Sequence, residues 1–252
     1  MERPFQIGRY ELKYIIDEVR ACAIRSLILM HMVPDSHADR KHHEYRVHSL
    51  YLDGPGLDLY RATLEGRKNR YKLRIRFYDE QPESPVMVEV KRRQDQVLIK
   101  QRAAVRRSAV PRLLAGHWPV RQDLVASDGR GWQALEAFCR LRDGIVARGS
   151  AFITYTREAY VMPGNSNVRV TFDRQLAASL FQGRFALGGL TPVRNVGVIL
   201  ELKFDQTFPG WLRHLIQIFD LERTSMCKYA AGLLKLQSAP PCWRRPIAAL
   251  VT

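Results

Sequence analysis

Through much of this chain polar and apolar residues alternate with a period of two, the period of a β-strand. In Tyr71-Lys72-Leu73-Arg74-Ile75-Arg76-Phe77 the residues between the apolar ones are all cationic. In Val168-Arg169-Val170-Thr171-Phe172-Asp173 the same alternation sets Arg169, Thr171 and Asp173 on one face. Three times a glutamate and a lysine flank one apolar residue: Glu11-Leu12-Lys13, Glu89-Val90-Lys91 and Glu201-Leu202-Lys203. Successive strand side chains point to opposite faces, so each Glu shares a face with its Lys. A sheet with one face on a core and one in water is the commonest source of such alternation. Here, however, Arg and Lys recur beside isolated Glu where Thr, Ser and Gln would be usual. Closed into a barrel with the charged faces inward, such strands would enclose a basic tunnel for a polyanion.

The remaining pattern predicts helices around that sheet. Gly8 to Tyr14 reads as a first strand, and Asp17 caps a helix whose apolar stripe is Val19, Ala23, Leu27 and Met30, ending near Pro34. Asp35 to Glu44 is a polar loop containing His37, His42 and His43, which are more often solvated than metal ligands without a Cys partner. Arg46 to Asp53 is a strand stopped by Gly54-Pro55-Gly56, and Leu57 to Leu64 a short helix. Asn69 to Tyr78, Pro85 to Arg92 and Val97 to Val105 read as successive antiparallel strands. Trp132, Leu135, Phe138 and Leu141 recur at helical spacing and place an α-helical insertion over Pro111 to Gly144. Strands resume at Ala151 to Val161, Val168 to Arg174 and Val196 to Phe204, with a turn at Gly164 to Asn167. Pro209 starts a helix running through Leu221, and Thr224 or Ser225 caps a last one reaching about Leu236. Residues 1–238 read as one α+β domain, and 239–252, with Pro240-Pro241 and Pro246, as a loose tail.

Charge sharpens the tunnel reading. The 252 residues carry 40 Lys and Arg against 25 Asp and Glu, a formal +15 that attracts polyanions without naming one. Cys22, Cys139, Cys227 and Cys242 are scattered and read as reduced thiols of a cytoplasmic protein. Met1 to Phe5 has no signal-like apolar region. Leu27-Ile28-Leu29-Met30 is too short to span a bilayer, so membrane association would need a membrane-protein partner.

Lys13, Arg74, Arg76, Lys91, Lys100, Arg102, Arg157 and Arg169 occupy alternate strand positions. An eight-stranded barrel holds side chains or one small ligand. Cations alone inside it would repel and lose hydration, so the lumen must be wet and normally hold an anion. Arg suits phosphate oxygens through its planar fork, and Lys adds point charge. Glu11, Glu89 and Glu201 can balance those cations, or one or two can hold a hard divalent metal that bridges phosphate oxygens. Lys228 falls in the first turn of the last helix, against the helix dipole, a placement that makes sense where both face an anion.

The landmarks Arg9 to Tyr14, Ser49-Leu50-Tyr51-Leu52-Asp53, Lys72 to Tyr78, Val88 to Lys91, Lys100-Gln101-Arg102, Tyr155-Thr156-Arg157, Arg169 with Asp173, Leu200 to Lys203 and Lys228 to Gly232 occur in a telling order. In these the chain resembles the catalytic domain of the vacuolar transporter chaperone family, polyphosphate polymerases within the triphosphate tunnel metalloenzymes. The resemblance implies an antiparallel eight-stranded tunnel barrel with flanking helices. It implies that Lys13, Arg74, Arg76, Lys91, Lys100, Arg157 and Arg169 line the phosphate path with Tyr155 beside it. It makes Glu201 the metal ligand for Mn²⁺ or Mg²⁺ and Lys228 the family's helix lysine. Met226-Cys227 stands where the family has Ser before that lysine, with Ser225 the nearest serine.

On this basis Lys13, Arg74, Arg76, Lys91, Arg157, Arg169 and Lys228 form the catalytic set. Lys100, Arg102, Tyr155, Glu11, Glu89 and Lys203 contact substrate, and Glu201 holds metal. ATP and inorganic polyphosphate or triphosphate are the expected ligands, with transfer of the γ-phosphoryl group to the growing chain. The same tunnel with water as acceptor would give a tripolyphosphatase or nucleoside triphosphatase, and without turnover a polyphosphate-binding module. Nucleic acid is disfavoured because the cations lie in strand alternation rather than on a helix or loop tract. Arg92-Arg93, Arg106-Arg107, Arg244-Arg245 and Lys68 lie outside the alternating set and could guide a lengthening polyanion.

Overall fold

The computed structural model describes residues 10–39, 43–95, 97–126, 128–194, 196–205 and 208–238. Gly8, Arg9, His42, Cys242, Arg244-Arg245 and the expected tail at 239–252 lie outside them. The strands are β1 (Tyr10–Ile16), β2 (Val33–Pro34), β3 (Glu44–Asp53), β4 (Arg70–Phe77), β5 (Val86–Gln94) and β6 (Val97–Val105), then β7 (Arg148–Met162), β8 (Asn165–Leu180), β9 (Thr191–Pro192) and β10 (Val198–Phe204). The helices are α1 (Glu18–Ile28), α2 (Asp58–Leu64), α3 (Val110–Leu114), α4 (Gly129–Gly144), α5 (Gly210–Ile218) and α6 (Lys228–Gln237).

Eight strands form one antiparallel path, β1-β10-β8-β7-β3-β4-β5-β6, with β2 added on β7 and β9 on β8. The path curls so that β1 and β5 meet through side chains: Lys91 Nζ lies 2.7 Å from Glu11 Oε2. Among the described residues no ladder joins β1 to β6. The expected eight-stranded tunnel wall is therefore present as a curled half-barrel, and ion pairs rather than backbone bonds cross its seam.

The alternation works inside out relative to an ordinary sheet. Leu73, Ile75, Val88 and Val90 face outward into a core with Phe138, Leu135 and Leu113 of α4 and α3. Val170, Phe172, Leu200 and Leu202 do the same beneath α1 and α5, against Ile24, Ile28, Leu212 and Leu215. Helices thus cover the apolar exterior, which leaves the polar face for the lumen. One helix breaks this rule. α6 packs inside the curl, where Tyr229 stacks on Tyr51 with centroids 4.6 Å apart. Gly232 permits that approach, since a Cβ there would come 2.3 Å from Ile153 Cδ1 and 3.0 Å from Ala178 Cβ. The close seat outweighs the roughly 1 kcal/mol that glycine costs inside a helix.

Three local expectations are corrected. α1 does start behind Asp17, whose carboxylate accepts the Arg20 N–H at 2.7 Å. Its buried stripe, however, is Ala21, Ile24 and Ile28, while Val19 is 81% and Met30 72% exposed. Both sets have helical spacing, and only the sheet beneath chooses between them. The helix also ends at Ile28, because Val33 and Pro34 pair with Val161 and Tyr160 of β7. The helical insertion is present as α3 and α4, with Asp123 between them accepting from Arg112 at 2.6 Å. Finally, Cys227 and not Thr224 or Ser225 precedes α6. The Thr224 N–H donates to Lys13 O at 2.8 Å, which keeps this segment along β1 until Cys227. Among the described residues no helix is long and apolar enough to cross a membrane.

Candidate active site

A cavity of about 540 Å³ runs within the curl. Its lining gathers Glu11, Lys13, Arg74, Arg76, Lys91, Lys100, Arg102, Tyr155, Arg157, Arg169, Glu201, Lys203 and Lys228. These residues come from β1, β4, β5, β6, β7, β8, β10 and α6, so the alternation does converge on one space. Glu89 alone of the expected set lies behind the lining, fully buried.

Glu201 is the centre. Its Oε1 lies 2.7 Å from Lys228 Nζ and 3.4 Å from Lys13 Nζ. Its Oε2 lies 2.5 Å from Lys203 Nζ and 3.4 Å from an Arg157 nitrogen. Burial would raise its pKa, but Lys203, Lys228, Lys13 and Arg157 hold it well below the carboxylate range. Lys203, the tightest partner, is itself pushed down to about 8 by burial, with Arg157 adding to the effect against Glu201.

Asp173 completes this centre. It receives a two-pronged bond from Arg157, Nε to Oδ1 and a terminal nitrogen to Oδ2, both 2.6 Å. Lys228 Nζ bridges it to Glu201 at 2.6 Å. Lys228 opens α6 against the helix dipole, as expected, and these two carboxylates are the anions that offset the cost. Its ammonium also lies 4.9 Å from the Tyr155 ring centroid.

A second cluster sits on β4, β5 and β6. Glu89 takes Arg74 Nε at 2.6 Å and Lys100 Nζ at 2.5 Å. Lys100 is pushed down to about 7, first by burial and then by Arg74 and Arg76, against the pull of Glu89. Arg76 differs from every cation so far. It donates to the hydroxyls of Ser49 at 3.3 Å and Tyr155 at 3.2 Å, not to a carboxylate. Farther out, Arg169 donates to Tyr45 at 3.0 Å and pairs with Asp35.

The expected glutamates are thus cation partners first. Glu201 is the residue to weigh as holder of a divalent ion. No three His, Cys, Asp or Glu side chains converge as a metal cage among the described residues, and His37 Nδ1 lies 2.9 Å from Asp35 Oδ1. Mg²⁺ and Mn²⁺ sites built on one or two carboxylates need substrate phosphates and water for the rest. Glu201 can supply the carboxylate. Its cross-strand neighbour Thr171 is buried with a hydroxyl oxygen that has no hydrogen-bond partner. One carboxylate, already surrounded by four cations, and one hydroxyl are the donors these residues offer such an ion.

Asp173 and Lys72 had a signal in the alternation but no assigned role, while Asp35 and Cys227 had none. Lys72 Nζ lies 2.9 Å from Cys227 Sγ and, after burial raises it, holds that thiol down at about 7. Asp35 lies in a loop, where no period reveals a facing partner.

Comparison with known proteins agrees with this geometry. Residues 8–237 match the VTC domain. Vacuolar transporter chaperone complex subunit 4 of Schizosaccharomyces pombe is 24% identical over 247 aligned residues, covering 82% of this chain and 34% of that protein. Subunit 2 of the same complex is 30% identical over 132 residues, covering 49% of this chain and 18% of that protein. The chain therefore spans about a third or less of the length of these relatives. With the VTC domain match extending over nearly all of it, this chain belongs to the VTC domain family.

Proposed function

We propose that this protein is a metal-dependent polyphosphate polymerase, moving the γ-phosphoryl group of ATP onto a terminal oxygen of a growing polyphosphate chain. The observation that carries the reading is the composition of the lumen. Eleven Lys and Arg side chains line the cavity, against two lining glutamates and the buried Glu89, Asp173 and Asp35. Only a polyanion balances that excess in so enclosed a space.

Phosphoryl transfer asks the protein mainly for positioning and charge neutralisation, with no covalent enzyme intermediate. Arg76, hydrogen-bonded to Ser49 and Tyr155 and only near the buried Glu89, has no direct carboxylate bond to give up when phosphate arrives. Arg74 and Arg157 arrive pre-oriented by Glu89 and Asp173 and hold the β- and γ-phosphates with Arg169. Lys13, Lys91 and Lys228 steer the acceptor, as an acceptor oxygen bonds to the γ-phosphorus while the bond to the β-phosphate oxygen breaks and ADP leaves. Glu201 would hold a divalent ion, which would supply neutralisation of the phosphate charge. Both relatives are named as subunits of a vacuolar transporter chaperone complex, which supports work in an assembly with protein partners.

The deciding experiment incubates the protein with ATP and Mn²⁺ or Mg²⁺ and resolves products by chain length. Polyphosphate chains with ADP are expected. Orthophosphate as the sole phosphorus product would assign water as the acceptor and replace synthesis by hydrolysis.

A further inference from the structure

Helix α1 carries two apolar faces, and the fold buries only one. Ala21, Ile24 and Ile28 point into the core. At about 100° per residue, the arc turned away from the core runs through Leu29, Cys22, Ser26, Val19, Met30 and Ala23. All six are exposed, Leu29 and Met30 in the turn that continues the helix. No charge interrupts this arc, in a chain of which 26% is charged. The charges of α1 sit at its edges, where its own fold holds them. Glu158 takes Arg25 through two bonds, at 2.5 and 3.0 Å, and Arg174 Nε lies 2.8 Å from Glu18 Oε1. Ser26 donates its hydroxyl to Cys22 O at 3.3 Å, so it can be covered without needing a new partner. A contiguous exposed face of this kind marks a contact surface.

Two properties select its occupant. Cys22, Ala23 and Ser26 are small and leave room at the centre for a second helix to pack closely, whereas a helix lying in a lipid surface needs bulky apolar side chains there. The face is also symmetric. Reversed about the point between Ile24 and Arg25, Val19 exchanges with Met30, Ala23 with Ser26 and Cys22 with Leu27. An antiparallel copy therefore sets large side chains together at both ends and small ones together in the middle. The same reversal brings the acidic first turn, Asp17 and Glu18, beside His31 of the other copy and opposes the two helix dipoles.

We propose that this protein forms a two-fold homodimer through antiparallel pairing of the outer faces of α1. The helix has 11 residues and is about 16 Å long, so the pair buries less than the roughly 800 Å² per partner of a standard interface, and the dimer dissociates on dilution. A formal +15 on each chain opposes association at long range, and salt relieves that repulsion. The contact lies on the outside of the curl, so it stands whether or not the lumen is a polymerase site.

Sedimentation equilibrium of wild type and Ala23→Glu, at up to about 100 μM protein and across a salt series, tests the pairing. Wild type should pass reversibly from monomer to dimer, more readily at higher salt. Ala23→Glu sets two carboxylates near the axis and should raise the dimer Kd about tenfold or more. Its melting temperature should not change, because the position is exposed and glutamate is a good helix former. A short bismaleimide should join two copies through Cys22, and Cys22→Ser should abolish that product. Wild type that stays monomeric throughout overturns the proposal, as does a dimer indifferent to Ala23→Glu. Cross-linking that survives Cys22→Ser would place the contact elsewhere and also overturn it. A monomer that floats with phosphatidylcholine vesicles, and loses this in Ala23→Glu, would overturn it by giving the face to a membrane.

Discussion

Lys91 of β5 and Glu11 of β1 lie 2.7 Å apart although their strands stand near opposite ends of the sheet path. Glu11 also meets Lys13 at 3.1 Å, so one carboxylate ties both sides of the seam. Side chains thereby complete a wall that the backbone leaves open, and substrate phosphates would bind between the same groups.

Breaking the seam should be visible as coupling. Glu11→Gln and Lys91→Gln should each lower stability by about 1–3 kcal/mol, between the values for exposed and buried pairs. The double variant should lose less than the sum. Additive losses in denaturant titrations would show that the pair does not hold the edges together.

Arg74 and Arg76 should separate cleanly. Arg74→Ala strips the fully buried Glu89 of its main partner and should cost about 3–5 kcal/mol. Arg76→Ala removes a cation hydrogen-bonded only to hydroxyls and only near Glu89, so the melting temperature should fall much less than for Arg74→Ala while tripolyphosphate affinity drops. From alternation alone the two would behave alike. Equal melting temperatures for both variants would remove the distinction.

Glu201→Gln should abolish metal-dependent turnover and also destabilise the empty protein. The carboxylate is buried among Lys228, Lys13, Lys203 and Arg157, and its loss leaves those cations facing one another. Added tripolyphosphate should recover much of the stability through linkage. Wild-type turnover with unchanged metal dependence would reduce Glu201 to a charge-balancing role.

Binding should be proton-linked. Lys100 at about 7 and Lys203 at about 8 lose charge as pH rises, whereas bound phosphate favours their charged forms. Tripolyphosphate affinity should therefore fall between about pH 7 and 9, with proton uptake on binding. Calorimetry in buffers of different ionisation heat measures that uptake. Lys203→Arg should abolish its upper part. For the empty protein the sign is the reverse: above about 8 the unfolded chain holds the extra proton, so Lys203 makes stability rise with pH up to the ordinary lysine range.

Period-two alternation in Tyr71 to Phe77 and Val168 to Asp173 was enough to declare strands with one charged face, and the three Glu-x-Lys units placed carboxylates among the cations. These are local properties, because a strand's two faces follow from its own backbone. Pairings across the fold were not legible. Nothing local joins Glu89 to Arg74 and Lys100, Asp173 to Lys228, or Asp35 to Arg169, since each pair depends on strand order and curvature. The helix faces show the same limit: Val19 and Ile24 both fit a helical stripe, and only the sheet decided that Ile24 is buried. Lys228 was identifiable by its place at the start of a helix, but its two carboxylate partners exist only because Gly232 lets α6 sink into the curl. The sequence by itself determined which side chains share a strand face. The tertiary structure decided that this face turns inward, because helices bury the apolar exterior and charge pairs across the seam neutralise enough of the lumen to let it close.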